Sequence, residues 1–171
     1  MAKLITGGTG SVGAELARQL VAMGEEVVLF DIAVNRERID DIENKVKIIQ
    51  GDLGIYSEVF NAVRENRIDG IYHLGAILGG RSEEIPWSAF QTNVVGTMNV
   101  LEAARLFGVQ KVIYTSTIGT HGTAARGVVT DESMQKPMGM YSIAKLYSEQ
   151  IGRWYRERFG LDFRAVRYPA V

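Results

Sequence analysis

The chain has 171 residues, 46% of them hydrophobic, and a formal net charge of −1, a composition typical of one globular domain of ordinary size. Its 19 basic and 20 acidic residues are mixed along the chain without a basic block, which argues against a nucleic-acid partner. Because the chain has no cysteine and only two histidines, His73 and His121, we expect neither disulfides nor a metal site. No stretch approaches the roughly 18 apolar residues of a membrane span and no signal-peptide core is present, so we expect a cytoplasmic protein without a membrane partner.

Six short runs rich in β-branched and apolar residues predict strands, and most are almost continuous in apolarity, as strands covered on both faces are. In chain order these runs are residues 4–6, 27–30, 46–49, 71–74, 112–115 and 163–167. Helical patterns lie between them at residues 11–23, 56–66, within 86–107 and at 138–159. The alternation predicts an α/β fold, a doubly wound parallel sheet with right-handed crossovers and helices on both faces.

Two of the predicted helices have an apolar stripe, which predicts amphipathic helices that turn this face to the core. The stripe residues are Leu16, Leu20 and Met23 in the first helix and Ile143, Tyr147, Ile151 and Trp154 in the last. The longest irregular stretch, residues 116–136, follows the fifth predicted strand. Loops of this length are usually functional or disordered, so it is a candidate wall of a substrate site, with a solvated surface loop as the alternative.

A glycine-rich turn, GGTGSVG at residues 7–13, lies between the first strand and the first helix. Its glycines have the spacing G-x-x-G-x-x-G, which permits a tight turn and a close approach of backbone N–H groups to a pyrophosphate. The spacing alone is a weak signal, because 19 glycines produce it by chance. The strand-turn-helix context is the required one, and the turn therefore predicts phosphate binding.

Two carboxylates follow the second and third predicted strands. Asp31, 18 positions after Gly13, can accept hydrogen bonds from both hydroxyls of an adenosine ribose and would repel a 2′-phosphate, which favours NAD over NADP. A strand-end carboxylate that caps a turn is the alternative, and the nearby Arg36 keeps NADP open. Asp52 could accept a hydrogen bond from the adenine amino group or could be the N-cap of the next helix.

Tyr141 and Lys145 lie four residues apart, one turn apart on the same helix face. A cation within about 4 to 6 Å favours the phenolate and lowers the pKa of a phenol, so Tyr141 could exchange a proton with a substrate hydroxyl while a hydride moves to or from a nicotinamide. Lys145 would also hold the nicotinamide ribose. Chance produces such a pair in about one chain in four of this composition, so its position after the fifth strand matters more than the pair itself.

Three further polar residues lie near the carboxyl edge of the predicted sheet. Thr117 ends the fifth strand, where its hydroxyl could orient the reacting oxygen beside Tyr141, or could bond its own backbone. His121 is a tempting base by residue type, but it has no visible partner. His73 ends an apolar strand and is better interpreted as a core histidine with satisfied hydrogen bonds.

Taken together, these motifs resemble, in order and spacing, the extended short-chain dehydrogenase/reductase family, the group of NAD-dependent nucleotide-sugar epimerases and dehydratases. The motifs are TGGTGSVG at 6–13, Asp31, GDL at 51–53, HLGA at 73–76, NVVGT at 93–97, TST at 115–117, Tyr141-x-x-x-Lys145 and RYP at 167–169. The resemblance covers the whole chain and implies a Rossmann-type NAD-binding domain at residues 1–171. Because family members continue into a smaller domain that closes over the substrate, we expect this C-terminal substrate domain to be absent here.

The resemblance also implies roles for individual residues. The cofactor site implied is formed by Gly7, Thr9, Gly10, Ser11, Val12, Gly13, Asp31, Asp52, Leu53, Gly75, Ala76, Asn93, Lys145, Tyr168 and Pro169. Within it the backbone of 9–12 contacts pyrophosphate, Asp52 with Leu53 frames the adenine, Asn93 lies near the active site, and Tyr168 with Pro169 flanks the nicotinamide. The implied catalytic residues are Thr117, Tyr141 as the acid/base and Lys145 as its partner. Gly75 replaces a commoner alanine, and His121 replaces a usual aromatic residue.

The implied function is hydride transfer at a hydroxyl-bearing carbon of a nucleotide sugar by an NAD-dependent epimerase or dehydratase. Residues 73–82, 117–119 and 167–169 are also similar to the L-threonine 3-dehydrogenase group, so oxidation of a hydroxy amino acid is the first alternative. A non-catalytic NAD-binding module or inactive fragment is the second. In the family, dimers form through helices that correspond to residues 94–106 and 141–155, so we expect a homodimer.

Overall fold

A computed structural model of the protein describes residues 1–124, 128–130 and 132–169. The strands are β1 (Ala2–Thr6), β2 (Glu26–Asp31), β3 (Val46–Gln50), β4 (Ile68–His73), β5 (Lys111–Thr117) and β6 (Asp162–Tyr168). The α-helices are α1 (Ser11–Ala22), α2 (Tyr56–Glu65), α3 (Gly79–Glu84), α4 (Pro86–Phe90), α5 (Gly96–Leu106) and α6 (Met140–Phe159). A π-helical turn, Gln91–Val95, joins α4 to α5, and short 3₁₀ turns occupy Arg36–Arg38, Glu43–Lys45 and Ile118–Ala124.

The six strands form one parallel sheet in the order β3-β2-β1-β4-β5-β6. The predicted Rossmann-type doubly wound sheet is thereby confirmed. The strand order reverses between β1 and β4, and in such sheets ligands bind in the crevice at the carboxyl ends of the strands near this switch point. The glycine turn after β1 and the loop after β4 both lie at this crevice.

Two apolar layers cover the faces of the sheet. On one face α1 packs over Ile5 and Leu29, and on the other face a larger cluster under α2, α5 and α6 includes Leu4, Val28 and Phe30. Successive strand residues therefore point to opposite layers, and burying each such side chain stabilises the fold by about 1.5–3 kcal/mol. No helix in the described ranges combines the length and apolarity that crossing a membrane requires.

The apolar stripes of α1 and α6 are only partly buried, which corrects the sequence-based expectation. Met23 lies just beyond α1 and is 75% exposed, and Ile143, Tyr147 and Trp154 of α6 are about half exposed. The buried face of α6 consists of Ala144, Lys145, Ser148, Glu149, Gly152 and Tyr155. The polar groups of this face find partners on other elements, which a periodicity argument does not include. Lys145 and Glu149 bond β5 and β6, while Ser148 and Tyr155 bond Gln91–Val95 and α5.

The helix α3 was not predicted, whereas Gln91–Val95 lies within the helical pattern predicted at 86–107, where it forms a π-helical turn. The described start of the stretch 116–136 has regular structure. Its first part extends β5 to Thr117 and then forms the 3₁₀ turn Ile118–Ala124. Residues 125–127 and 131 of this stretch, and residues 170–171 of the predicted domain, lie outside the described residues. The role of the stretch as a substrate wall stays a prediction.

Candidate cofactor and active site

The glycine turn is shaped by contacts that leave no room for side chains. Gly7 has φ of 65°, and a Cβ placed on it would lie 2.9 Å from the Cα of Gly75. A Cβ on Gly13 would clash with the carbonyl oxygen of Gly7 and lie 2.9 Å from the Cα of Gly8. Because Gly10, the N-cap of α1, has no side chain to cap the helix, the first amides of α1 are the donors that a phosphate would use. The turn therefore fits the pyrophosphate of a dinucleotide.

Asp31 at the end of β2 is tied to the glycine turn through Thr9. Its Oδ2 accepts hydrogen bonds from the Thr9 backbone N (3.0 Å) and Thr9 Oγ1 (2.8 Å), and its Oδ1 accepts one from the Ala33 N (3.3 Å). Asp31 thus caps the turn, as the alternative interpretation expects, and its carboxylate lies beside the glycine turn. Its role towards a ribose stays a prediction. Arg36, which kept NADP open, forms an ion pair with Glu43.

Asp52 and Leu53 lie on the loop between β3 and α2. Asp52 Oδ1 accepts a hydrogen bond from the Gly54 N at 2.8 Å, and the N-cap of α2 is Ile55, so the alternative of Asp52 as N-cap is wrong. Leu53 is buried, and its Cδ1 would lie 2.7 Å from a Cβ on Gly75. The loops after β3 and β4 are therefore packed together at the carboxyl edge of the sheet.

The loop after β4, which carries Gly75 and Ala76, is held from two sides. The Gly75 N donates to Thr6 Oγ1 at 3.2 Å. Asn93, buried in the π-helical turn, accepts from the Ile77 N at 2.8 Å and donates to the Ile77 carbonyl at 2.9 Å. Both polar ends of the Asn93 side chain thus bond this loop, which gives Asn93 a positioning contact that its motif did not reveal.

His73 is a buried core histidine, as expected, and both ring nitrogens have partners. Thr97 Oγ1 donates its hydrogen to the Asn93 carbonyl (2.7 Å), so it accepts from His73 Nε2 (3.0 Å). Nδ1 then accepts from Thr6 Oγ1 (2.7 Å). Burial lowers the pKa of His73 to about 3, and the nearby charge of Lys145 adds to the lowering, so the ring is neutral.

Tyr141 and Lys145 lie on the first turns of α6, as the spacing predicts. Lys145 is buried, and its Nζ donates to the Thr115 carbonyl at 2.6 Å and lies 5.5 Å from the centroid of the Tyr141 ring. Burial lowers the pKa of Lys145 to about 7 and raises the pKa of Tyr141. The expected lowering of the pKa of Tyr141 is therefore wrong for this structure, because desolvation of the phenolate outweighs an ammonium that is bonded elsewhere.

Thr117 lies at the end of β5, against the first turn of α6. A Cβ on Gly119 would meet both Thr117 Oγ1 (3.3 Å) and Ser142 Oγ (2.7 Å), so the two segments adjoin at this glycine. Thr117 Oγ1 also accepts a hydrogen bond from the Gly119 N at 3.1 Å. The hydroxyl is therefore bonded to nearby backbone, as the alternative interpretation expects. Tyr168 is the register partner of Thr117 on β6, and Pro169 follows it.

A buried ionic cluster beside this site was not predicted. Glu149, 1% exposed, accepts bonds from Arg167 Nε (3.0 Å), Arg167 Nη2 (2.7 Å) and Ser116 Oγ. Burial pushes the pKa of Glu149 upward, but the bonds from Arg167 and Ser116 together outweigh it, and the pKa lies below its ordinary value. The one feature of the sequence that could have indicated this cluster is the position of Glu149, one helical turn after Lys145.

His121 belongs to the same cluster. Its Nε2 lies 3.2 Å from Arg167 Nη1, which can only donate, so Nε2 accepts and Nδ1 donates to the Met134 carbonyl at 3.3 Å. Both ring nitrogens are thus engaged by structural partners. The partners that the sequence did not reveal are therefore Arg167 and the Met134 carbonyl, and neither is an arrangement that activates His121 as a base.

Comparison with known proteins identifies the family. Residues 3–171 match the model of the NAD dependent epimerase/dehydratase family. The chain belongs to this family. The predicted resemblance, NAD as the cofactor and the enzyme class are confirmed at the level of the family.

Individual relatives include both predicted kinds of enzyme. The UDP-glucose 4-epimerase of Lacticaseibacillus casei is 32% identical over 165 residues, 96% of this chain and 50% of that protein. The mitochondrial L-threonine 3-dehydrogenase of Bos taurus is 34% identical over 171 residues, 98% of this chain and 45% of that protein. The crystal structure of the Thermus thermophilus UDP-glucose 4-epimerase in complex with NAD is 31% identical with a TM-score of 0.89, over 98% of this chain and 55% of that one. The chain spans about half the length of the curated relatives it matches.

Proposed function

We propose that the protein is an NAD-dependent epimerase or dehydratase that transfers a hydride at a hydroxyl-bearing carbon of a nucleotide sugar. The observation that carries this proposal is the arrangement at one edge of the sheet. The end of β5 with Thr117 adjoins the first turn of α6 with Tyr141 and the buried Lys145. The glycine turn that fits a pyrophosphate lies at the same edge of the sheet.

The residues that we propose to hold NAD are those that the family resemblance implies. The amides of residues 9–12 bind the pyrophosphate, and Asp31 accepts from the adenosine ribose. Asp52 with Leu53 frames the adenine, Gly75 and Ala76 line the cofactor, and Tyr168 with Pro169 flanks the nicotinamide. The steric restrictions at Gly7 and Gly13 support this assignment, because a side chain at either position would collide with backbone atoms of the protein and change the shape of the turn proposed to bind the pyrophosphate.

The chemistry requires a base, an orienting hydroxyl and a cation. NAD, when bound, supplies the acceptor for a hydride from the substrate carbon. Tyr141 takes the proton of the substrate hydroxyl, and Thr117 Oγ1 orients that hydroxyl. Lys145 must be charged to stabilise the Tyr141 phenolate against the cost of burial, and with a pKa of about 7 it responds readily to a neighbouring negative charge.

Oxidation of L-threonine is the second candidate. The mitochondrial L-threonine 3-dehydrogenase of Bos taurus is 34% identical over 98% of this chain, slightly more than the 32% of the UDP-glucose 4-epimerase of Lacticaseibacillus casei. Both activities use the same proposed tyrosine, lysine and hydroxyl. They differ in whether NADH is released or returns its hydride to the substrate.

A substrate panel distinguishes these candidates. The full-length protein is incubated with NAD and, separately, with UDP-, GDP- and dTDP-sugars and L-threonine, while absorbance at 340 nm and product stereochemistry are followed. Product without net NADH supports the epimerase or dehydratase proposal. NADH formed in proportion to L-threonine supports the dehydrogenase. Tight NAD binding without any product favours a non-catalytic NAD-binding module.

Removing the Tyr141 hydroxyl tests the proposed base. Tyr141→Phe should lower kcat by about 100-fold or more, since general acid–base catalysis contributes on the order of 10²–10⁴, and should leave the Kd for NAD nearly unchanged. Tyr56→Phe, the same change at an exposed tyrosine on α2, is the matched control. An active Tyr141→Phe variant would remove Tyr141 from this role.

We also propose a homodimer formed through residues 94–106 and 141–155, in the cytoplasm. The apolar stripe of α6 that does not pack on the sheet supports the dimer, since Ile143, Tyr147 and Trp154 are about half exposed. Sedimentation of Trp154→Glu should show a monomer. Met23→Glu, which changes an exposed residue beside α1 on another surface, should leave the dimer intact.

A further inference from the structure

The ionic cluster of Ser116, Glu149 and Arg167, which we call the Glu149 cluster, joins three elements of the fold. Glu149 lies on α6, Ser116 on β5 and Arg167 on β6, and the last two are register partners in the sheet. The Arg167 guanidinium bonds both oxygens of the Glu149 carboxylate at 3.0 and 2.7 Å, and Ser116 Oγ donates to one of them. One buried carboxylate thus connects a helix to two neighbouring strands.

Each member of the cluster lies next to a residue of the proposed site. Ser116 precedes Thr117, Arg167 precedes Tyr168, and Glu149 lies one helical turn after Lys145. The cluster therefore links α6 to the ends of β5 and β6 next to the proposed site. His121 extends this link to the 3₁₀ turn after β5, because its Nε2 accepts a bond from Arg167.

A buried ion pair of this kind is better suited to holding α6 in a fixed position than to stabilising the fold. Replacing a buried ion pair by apolar residues of similar volume is often neutral or stabilising, because desolvation of the charges offsets their attraction. A bidentate guanidinium–carboxylate pair, however, restricts both distance and orientation, which an apolar contact does not. The cluster thus restricts the distance and orientation between α6 and the two strands beside the proposed site of proton and hydride transfer.

We propose that Glu149 and Arg167 are a positioning pair that holds Tyr141 and Lys145 on α6 at a working distance from Thr117 on β5. This proposal rests on the proposed function. Neither residue touches the reacting atoms in this proposal. Their effect is expected in kcat, because a misplacement of about 1 Å can lower the rate of an oriented reaction about 100-fold.

The test replaces the pair in the full-length protein by the double variant Glu149→Met/Arg167→Met, which removes both charges of the pair together. We expect a thermal midpoint close to the wild-type value, a Kd for NAD within about twofold, little change in KM and a kcat about 100-fold lower. If the pair only stabilised the fold, a double variant with a wild-type thermal midpoint would also have a wild-type kcat. Wild-type kcat in the folded double variant would overturn the proposal.

A matched control lies on the same strand. Arg164 and Asp162 form an exposed bidentate pair on β6 at 2.9 and 2.9 Å, and Asp162→Asn/Arg164→Gln should leave kcat unchanged.

If the double methionine variant does not fold, Ser116→Ala becomes the deciding variant, since it removes only the bond from β5 to Glu149. We expect about tenfold lower kcat, and an unchanged kcat would overturn the proposal.

The failure of this proposal is distinguishable from that of the proposed function. A wild-type protein without turnover on any member of the substrate panel overturns both. An active wild type with an equally active Glu149→Met/Arg167→Met variant overturns the positioning pair alone.

Discussion

The two walls of the crevice are built in different ways. The turn wall, formed by β1, the glycine turn and β2, has its shape because side chains are missing at Gly7 and Gly13 and because Thr9 bonds Asp31. The α6 wall, formed by β5, α6 and β6, is held by buried charged groups, with Lys145 bonded to a backbone carbonyl and Glu149 bonded to Arg167.

This difference predicts different sensitivities. A wall determined by close backbone contacts should fail when volume is added, because rigid backbone atoms cannot move aside. A wall determined by buried charges should fail when a charge loses its partner, because the remaining charge is left without solvation. The four predictions below alter volume or charge at chosen positions of the turn wall and of the network behind it.

Adding a methyl group at Gly13 should have the largest effect. In Gly13→Ala the new Cβ would clash with the carbonyl oxygen of Gly7 and approach the Cα of Gly8, both of them backbone atoms. We expect a loss of about 3 kcal/mol in the free energy of unfolding by urea and no measurable NAD binding by calorimetry. Gly80→Ala is the control, since Gly80 lies in α3 with open space around it. A Gly13→Ala variant with normal NAD affinity would contradict the steric description of this wall.

Removing the Asp31 carboxylate tests the charged member of the turn wall. Asp31→Ala should weaken NAD binding by about 1.5–3 kcal/mol, the range for hydrogen bonds to a charged group, and should weaken NADP binding far less. The reason is that the carboxylate accepts from the ribose hydroxyls but repels a 2′-phosphate. Calorimetric titration with both cofactors measures the ratio, and equal losses would refute the preference for NAD.

Below pH 7, acid should weaken the neutral network behind the turn wall before it weakens the bonds of Glu149 in the α6 wall. The pKa of His73 is lowered from 6.5 to about 3 in the folded protein, so the unfolded chain binds the proton first. The contribution of His73 to stability is therefore complete above pH 6.5 and is lost as the pH falls towards 3, by about 1.4 kcal/mol per pH unit. The pKa of Glu149 is lowered below 4.5, so its contribution is lost only at lower pH.

The variant His73→Gln separates this titration from packing. Glutamine can donate to Thr97 but does not titrate near neutral pH, so the variant should be less stable than the wild type at pH 7 and should lose stability less steeply on acidification. Urea unfolding at pH 7, 6 and 5 measures both slopes. Parallel slopes would show that His73 is not the group responsible.

The smallest effect on stability and NAD affinity is expected at Gly75, which lies where the turn wall meets the loop after β4. A Cβ there would lie 2.7 Å from Leu53 Cδ1, the movable end of a side chain, and 3.2 Å from the Gly7 N. Gly75→Ala should therefore cost about 1 kcal/mol or less in unfolding free energy and leave NAD affinity nearly unchanged. A loss as large as that of Gly13→Ala would mean that Leu53 cannot move.

The turn wall was predictable where its contacts are local, whereas the contact of Gly7 with Gly75 comes from a distant part of the chain. Gly7, Gly13 and Asp31 lie within one strand-turn-helix-strand unit, where spacing alone restricts the possible geometry. The α6 wall was predicted only in part. Tyr141 and Lys145 follow from helical spacing, but the direction of the pKa shift of Tyr141 depends on burial, and the bonds of Glu149 depend on residues 18 and 33 positions away.

The sequence by itself determined the order of strands and helices, the parallel sheet and the glycine turn, because periodicity and steric exclusion act over short stretches of chain. Only the tertiary structure decided which face of α6 is buried, that Asn93 holds the loop at Ile77, and that Ser116, Glu149 and Arg167 meet. These outcomes depend on pairing buried polar groups across distant elements, and a buried charge has no favourable position until its partner is in place.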